Sequence, residues 1–321
     1  MRYLNAQDLM AALSFEGVMA AVEEALRLYE TKTFVMPDRT SVDCGGGNLF
    51  LLMPSVAMDS IATKLVTVYP GNRARGHPVI DGIVVLNDRA TGEVLALMDG
   101  KTITAMRTGA VTGVSIRHLA RTDVHSVGLV GCGVQGYYQL MYACTAREIE
   151  RVTLFDINPA AIPPMIGKLR ASLPRVAVEA GASATEVLAA SEIVIAATTA
   201  RQPVFPDDPA LFEGKHLVAI GSFEPEVREY PDAALSMVEK VWIDTDLAVE
   251  ESGELIIPLR KGLLREEQLE MLGHFILSGR PPERGAHGTT FFKTVGMALF
   301  DLTTARQAYA SARERSLGTE L

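Results

Sequence analysis

Residues 126–156 constrain the fold more than any other part of the chain. A short apolar run, 127–130, leads into Gly131-Cys132-Gly133-Val134-Gln135-Gly136. A run with helical spacing follows (Tyr138, Leu140, Met141, Ala143, Cys144), then a second apolar run, 152–155, ending in Asp156. This is G-x-G-x-x-G after a strand and before a helix, with an acid one βαβ unit downstream. In such a unit Gly131 permits the tight turn, Gly133 lets the backbone approach a pyrophosphate, and Gly136 lets helix and strand pack closely. A pyrophosphate would sit on the unpaired N–H groups at the helix start, where the helix dipole favours negative charge. Asp156 is placed to accept hydrogen bonds from an adenosine ribose and would repel a 2′-phosphate, so NAD(H) is expected over NADP(H).

The chain has 321 residues, enough for a large core and two domains. Its net charge is −9, from 30 Lys+Arg against 39 Asp+Glu, with no basic tract. That argues against nucleic acid as a partner but leaves room for an anionic small substrate held by a few local cations. The three cysteines, Cys44, Cys132 and Cys144, form no C-x-x-C pair, so free thiols in a reducing compartment are expected. Cys132 stands in the phosphate turn, where a small side chain suffices. The N-terminus has no signal-peptide core and no window is apolar enough to span a bilayer. A cytoplasmic enzyme with no membrane partner and no metal site is the expectation.

Residues 5–31 read as two helices, with Asn5 or Asp8 capping the first and Ser14 starting the second. Residues 48–53 read as a strand after the Gly45-Gly46-Gly47 turn. Three more strand-like runs, 61–69, 79–87 and 94–98, are separated by turns, which suggests an antiparallel sheet. Lys64 lies inside the first of them; it is either an edge or solvent-facing position, or a ligand contact. Residues 99–119 form a helix rich in small residues, among which Arg107 is either an ordinary surface arginine or one left open to a ligand. His77, in a Gly/Pro/Arg loop with Arg73 and Arg75, reads as a solvated histidine or as a proton-relay candidate.

Beyond the fingerprint the α/β rhythm continues. A helix over 159–173 interrupted by Pro163-Pro164, a strand at 176–179 and a helix at 184–190 are expected. Strands at 192–199, 216–222 and 241–244 follow, the last being the final strand. Residues 250–262 and 266–278 read as helices, and a final helix opens at Phe291 and runs to about residue 314, packing back on the N-terminal region. Asp156, Thr198, Thr199, Gly221 and Ser222 fall at carboxyl ends of strands, where ligands of open parallel sheets bind. Helix capping or strand termination would also account for the threonines.

Six segments together resemble the ornithine cyclodeaminase/μ-crystallin family: PDRTSV at 37–42, ATKLVTVYPGN at 62–72, MDGKTITAMRTGA at 98–110, GLVGCGVQG at 128–136, ESGELIIPL at 251–259 and FFKTVGMALFD at 291–301. The resemblance implies a Rossmann NAD-binding domain, a doubly wound parallel sheet of residues 116–292. It also implies an α+β substrate-binding and dimerisation domain of residues 1–115 plus 293–321, and a homodimer. It places Arg39, Lys64 and Arg107 on the substrate carboxylate, which suits bidentate arginines and a lysine point charge. It implies dinucleotide contacts by Val134, Gln135, Asp156, Thr198 and Thr294, with Val295 touching the substrate; Ser222 is expected at the cofactor from its place at the end of a strand.

One segment departs from the cyclodeaminase pattern. Where those enzymes carry an aspartate that handles the substrate amine, the frame kept by Pro225 and Glu229 puts Phe223. A phenyl ring cannot serve as an acid or base. The resemblance is therefore to the imino-acid reductase and amino-acid dehydrogenase members, acting on an α-imino acid such as iminosuccinate, pyruvate plus ammonia, or a cyclic ketimine. Lys64 would orient the substrate or relay a proton, and its pKa could be lowered by the neighbouring arginines. A cyclodeaminase that recycles its NAD, and a non-catalytic ligand-binding protein, are the alternatives.

Overall fold

A GxGxxG turn needs a parallel sheet behind it, whereas hairpin-linked strands upstream need a sheet of their own. The computed structural model has both. It describes the backbone of residues 1–321 and every side chain except that of Arg73. The expectation for Arg73 therefore lies outside the described residues. The chain divides into two units, Met1–Arg107 with Met297–Leu321, and Thr108–Gly296.

The first unit starts with β1 (Arg2–Leu4), α1 (Ala6–Ala12) and α2 (Phe15–Thr31). Asn5 and Asp8 form a reciprocal capping box on α1, and the Ser14 hydroxyl accepts from Gly17 N at the start of α2. The strands β2 (Phe34–Val35), β3 (Thr40–Asp43), β4 (Leu49–Ala57), β5 (Ser60–Val68), β6 (Ile80–Asp88) and β7 (Val94–Asp99) follow, and α3 (Gly100–Leu119) begins in this unit. The sheet runs from a C-terminal strand, Thr319–Glu320, through β1, β7, β6, β5 and β4 to β2, with β3 also paired to β4. All pairs are antiparallel except β1 with β7, so the sheet is mixed. The strand β4 runs past the expected 48–53 through Pro54, at a position where neither β2 nor β3 pairs with it.

In β5 burial alternates: Ser60, Ala62, Lys64 and Val66 are buried while Ile61, Thr63 and Leu65 are half-buried. The buried row faces the C-terminal helix, Ala298–Glu314, which packs on β4, β5 and α2. Lys64 is therefore on the covered face of an interior strand, not at an edge.

The second unit holds eight parallel strands: β8 (Ser126–Val130), β9 (Arg151–Phe155), β10 (Ala177–Ala180), β11 (Ile193–Ala196), β12 (His216–Ala219), β13 (Val238–Ile243), β14 (Leu269–Met271) and β15 (Thr289–Lys293). Their order is β10-β9-β8-β11-β12-β15-β13-β14. Helix α4 (Val134–Ala146) links β8 to β9. The sheet is the doubly wound Rossmann type, with β8 central and the chain reversing direction across the sheet between β8 and β11.

Several expectations are corrected here. Phe291 does not open a helix: Thr289–Lys293 is a strand between β12 and β13, every residue buried. A strand buried on both faces reads as a continuous apolar run, which periodicity alone cannot separate from a buried helix. The helix begins only at Ala298, after Gly296 turns the chain with φ +77°. Consequently β13 is not the last strand. Residues 266–278 split into a 3-10 turn, β14 and the helix Leu272–Ser278. Pro163 and Pro164 start the helix Ile162–Ser172 rather than interrupt it, because the first helical turn needs no N–H donors. No helix is long and apolar enough to cross a membrane, and no group of three potential metal ligands occurs among the described residues.

Candidate active site

Within the first unit three charged side chains meet in the interior. Lys64 Nζ lies 2.7 Å from Asp301 Oδ2, and Arg107 Nε donates to Asp301 Oδ1 at 3.2 Å. Exposure is 2 % for Lys64, 7 % for Arg107 and 1 % for Asp301. Such groups are almost never fully buried unless paired. Strand β5 presents Lys64, α3 presents Arg107, and the first turn of the C-terminal helix presents Asp301. Burial pushes the Lys64 ammonium down to about 8, with Arg107 and Arg39 adding to the effect and Asp301 opposing it. Arg39 is half-buried and close enough for its charge to act on Lys64. His77 and Arg75 are exposed; the backbone N–H of His77 donates to Asn72 O at 3.1 Å.

The second unit builds a different surface at the carboxyl ends of its strands. Gly131 has φ +105°, and a Cβ there would meet Ala197 O at 2.4 Å. A Cβ on Gly136 would meet Gly131 O at 2.3 Å, so the start of α4 closes directly on the turn. Gly133 caps α4 without any side-chain hydrogen bond, and Val134 beside it is 72 % exposed. The helix start therefore keeps donors for an anion. Gln135 Oε1 is buried there without a partner. Asp156 closes the turn from the end of β9: Oδ2 accepts from Cys132 N at 2.7 Å and Oδ1 from Asn158 N at 2.8 Å. Burial, then Asp156, push the Cys132 thiol up to about 12, which leaves it an inert spacer.

A buried carboxylate ties the ends of β11 and β12 together. Glu229 Oε1 accepts from Thr198 N at 2.7 Å and Thr198 Oγ1 at 2.8 Å, while Oε2 accepts from Gly221 N at 2.7 Å. Glu254, on the helix Gly253–Arg260, accepts from the backbone N–H of Glu229 and of Tyr230. Lys293 is fully buried, and burial lowers its pKa while Glu254, Glu229 and Asp244 oppose the shift. Asp244 organises the segment after β15: it accepts from Thr294 Oγ1 at 2.5 Å, Val295 N at 3.2 Å and Gly296 N at 2.8 Å. The Ser222 side chain is fully buried, bonded to Ser252 Oγ at 2.7 Å and to the Val227 carbonyl. Phe223, in contrast, is 53 % exposed.

Sequence reasoning assigned no role to Asp301, Asp244, Glu254 or Lys293, and used Glu229 only to hold a reading frame. The available signal was a charge in an apolar setting: Asp301 in ALFDL, Lys293 in TTFFKT, Asp244 after VWI. Such a charge is retained only where partners wait for it, and the partners are far away in sequence.

The family model for the ornithine cyclodeaminase/mu-crystallin family matches residues 2–316. The chain belongs to the ornithine cyclodeaminase/mu-crystallin family. Within that family it is 32 % identical to a delta(1)-pyrroline-2-carboxylate reductase of Bacillus cereus, over 100 % of this chain and 99 % of that protein. A delta(1)-pyrroline-2-carboxylate reductase of Thermococcus litoralis, solved with NADH and L-proline, is 33 % identical with a TM-score of 0.93, and all of both chains is covered. An archaeal alanine dehydrogenase, solved as a dimer with NAD, is 26 % identical with a TM-score of 0.91, covering 100 % of this chain and 98 % of that one. These family members are reductases and a dehydrogenase, the branch that Phe223 suggested over the cyclodeaminases.

Proposed function

We propose that the protein is an NAD(H)-dependent reductase of a small cyclic α-imino acid bearing one carboxylate, of the pyrroline-2-carboxylate kind. The observation that carries this reading is the buried Lys64–Asp301–Arg107 cluster. It holds two buried cations against one internal carboxylate, with Arg39 beside them. The two buried cations exceed the internal carboxylate by one positive charge, and half-buried Arg39 brings the excess to two, which suits a substrate carboxylate held by both arginines. Arg75 and His77 are exposed and add nothing to that buried charge, which makes a dicarboxylic imine the poorer fit.

The residues of the second unit fit the dinucleotide. The uncapped start of α4 at Gly133, with Val134 and Gln135, is an open anion cradle. Asp156 marks the ribose position, and Thr198, Thr294 and the Ser222 backbone line the strand ends. When bound, the dinucleotide supplies a hydride to the imine carbon. Arg107 and Arg39 hold the carboxylate and so orient the adjacent C=N bond. Lys64, with a pKa near 8, is an ammonium at neutral pH that can give a proton to the imine nitrogen as the C–H bond forms. Orientation of both reactants contributes on the order of 7–11 kcal/mol at its limit. Val295, whose backbone N–H donates to Asp244 Oδ1 at 3.2 Å, keeps the substrate role that the family resemblance implies for it.

The test is a steady-state screen of pyrroline-2-carboxylate, iminosuccinate and pyruvate plus ammonia, following NADH absorbance. The cyclic imine should be the best substrate, and NADH should be preferred to NADPH by at least about tenfold, the effect of roughly 1.4 kcal/mol of repulsion at Asp156. The reading fails if no imine consumes NADH while ornithine or lysine releases ammonia.

A homodimer belongs to the same proposal. The half-buried row of β5, with Ile61 and Leu65, continues into Phe50 and Leu52 of β4, Ile83 of β6 and Val42 of β3. An apolar sheet face of this extent suits a second copy of the chain. Light scattering should give twice the chain mass, and replacing Leu65 and Ile83 together with Lys should give monomer; a wild-type monomer at micromolar concentration would refute the dimer.

A further inference from the structure

We propose that Asp301 is a positioning residue that ties Lys64 to Arg107 and fixes which protonation state Lys64 offers the substrate. The proposal rests on the reductase reading for its catalytic meaning, and on the geometry of the first unit for the rest.

Asp301 divides its two oxygens between the two cations, Oδ2 to Lys64 and Oδ1 to Arg107. Among the described contacts it engages Arg107 through Nε. This leaves the Nη edge, the one suited to a bidentate carboxylate, for a substrate. The side chain cannot drift away from this arrangement. It lies in the first turn of a helix whose opening residues, from Ala298 through Ala305, are all buried. The helix start also favours an anion at that place. One carboxylate therefore sets the position of a proton donor and of a carboxylate clamp at once.

It also sets the donor's charge. The charged groups facing Lys64 are Asp301 from the C-terminal helix, Arg107 from α3 and Arg39 from the segment before β3. Burial and the two arginines disfavour the ammonium, and Asp301 alone favours it. With Asp301 present, Lys64 titrates at about 8 and is mostly protonated at neutral pH. Without the Asp301 charge its midpoint must fall, because only the disfavouring influences remain. A neutral Lys64 has no proton to give to an imine nitrogen.

The test uses the full-length protein labelled with 13C at lysine Cε, with the Lys64 resonance identified by its loss in Lys64→Arg. The wild-type midpoint should lie near 8, and in Asp301→Asn it should drop by at least about one pH unit, a tenfold change in the proton equilibrium. The alkaline limb of the kcat profile for imine reduction should move to lower pH by the same amount. The midpoint is read without turnover. An inactive wild type therefore counts against the reductase reading alone, while an unmoved or raised midpoint in Asp301→Asn overturns the role of Asp301. Asp301→Glu covers the case of an Asn variant that does not fold. Because the charge is kept, its alkaline limb should stay within about half a unit of wild type while KM rises at least roughly tenfold, the effect of about 1.4 kcal/mol. A limb that moves in the Glu variant overturns the proposal.

Discussion

Arg107→Ala should lower kcat/KM for imine reduction by roughly 30-fold to several thousand-fold, while NADH affinity stays within about twofold. The size follows from where Arg107 sits. It is 7 % exposed and bonded to a carboxylate that is itself 1 % exposed. Truncating one member of a buried, hydrogen-bonded charge pair typically costs about 2–5 kcal/mol. The substrate loses its bidentate partner, and Asp301 is left to pair with Lys64 alone. The dinucleotide residues belong to the other unit, whose phosphate turn and strand ends are bonded among themselves. The checks are steady-state kinetics with the cyclic imine and NADH fluorescence titration on the same preparation. Intact turnover would remove Arg107 from the site; a parallel loss of NADH affinity would show a fold defect instead.

The second large effect is on stability. Lys293→Met should destabilise the second unit by about 3–5 kcal/mol at pH 8, and by clearly less at pH 5. Lys293 is fully buried among Glu229, Glu254 and Asp244, all fully buried as well. Methionine fills the volume but removes the only cation among the described residues of this cluster. Burial, then Glu229, already push Glu254 up to about 7, against 4.5 in an unfolded chain. A carboxyl with a raised folded-state pKa binds its proton more readily in the native state. Its stabilising share is complete below the unfolded value and is lost as pH rises through the folded value. Without Lys293 the pKa of Glu254 rises further, so the variant loses most at high pH and recovers as protons return. Urea unfolding followed by fluorescence measures this directly, since the single tryptophan, Trp242, is buried in β13 of this unit. A loss below about 1 kcal/mol, or one independent of pH, would mean the cluster is neutralised in some other way.

The two sheets differed in how well they could be read. The fingerprint is local: every residue of the turn, the helix and the second strand lies within one short stretch, and Asp156 closes on the same turn at Cys132. The run 61–69 likewise reads as a strand, from its composition and the turns that bound it. What such a run cannot say is which of its faces is covered, or by which element. Lys64 reads as solvent-facing or as a ligand contact because the helix that buries it comes from the far end of the chain. The strand Thr289–Lys293 reads as the start of a helix for a related reason: an apolar stretch covered on all sides has no polar face to reveal its period.

The charged residues follow the same rule. Phe223, Arg39, Lys64 and Arg107 could be singled out because motifs in the sequence carry them. Asp301, Asp244, Glu254 and Lys293 acquire meaning only from their partners. A buried charge is explained by what compensates it, and compensation acts through space over a few ångströms. The sequence by itself determined the dinucleotide turn, the acid at Asp156 on which the expectation of NAD(H) rests, and the family to which the chain belongs. Only the tertiary structure decided that Lys64 and Arg107 share one carboxylate, and that the strand ends are held by the buried acids Glu229 and Asp244. Strand period and turn chemistry are short-range properties of the backbone, whereas the placement of a charge in a dry interior depends on residues that folding alone brings together.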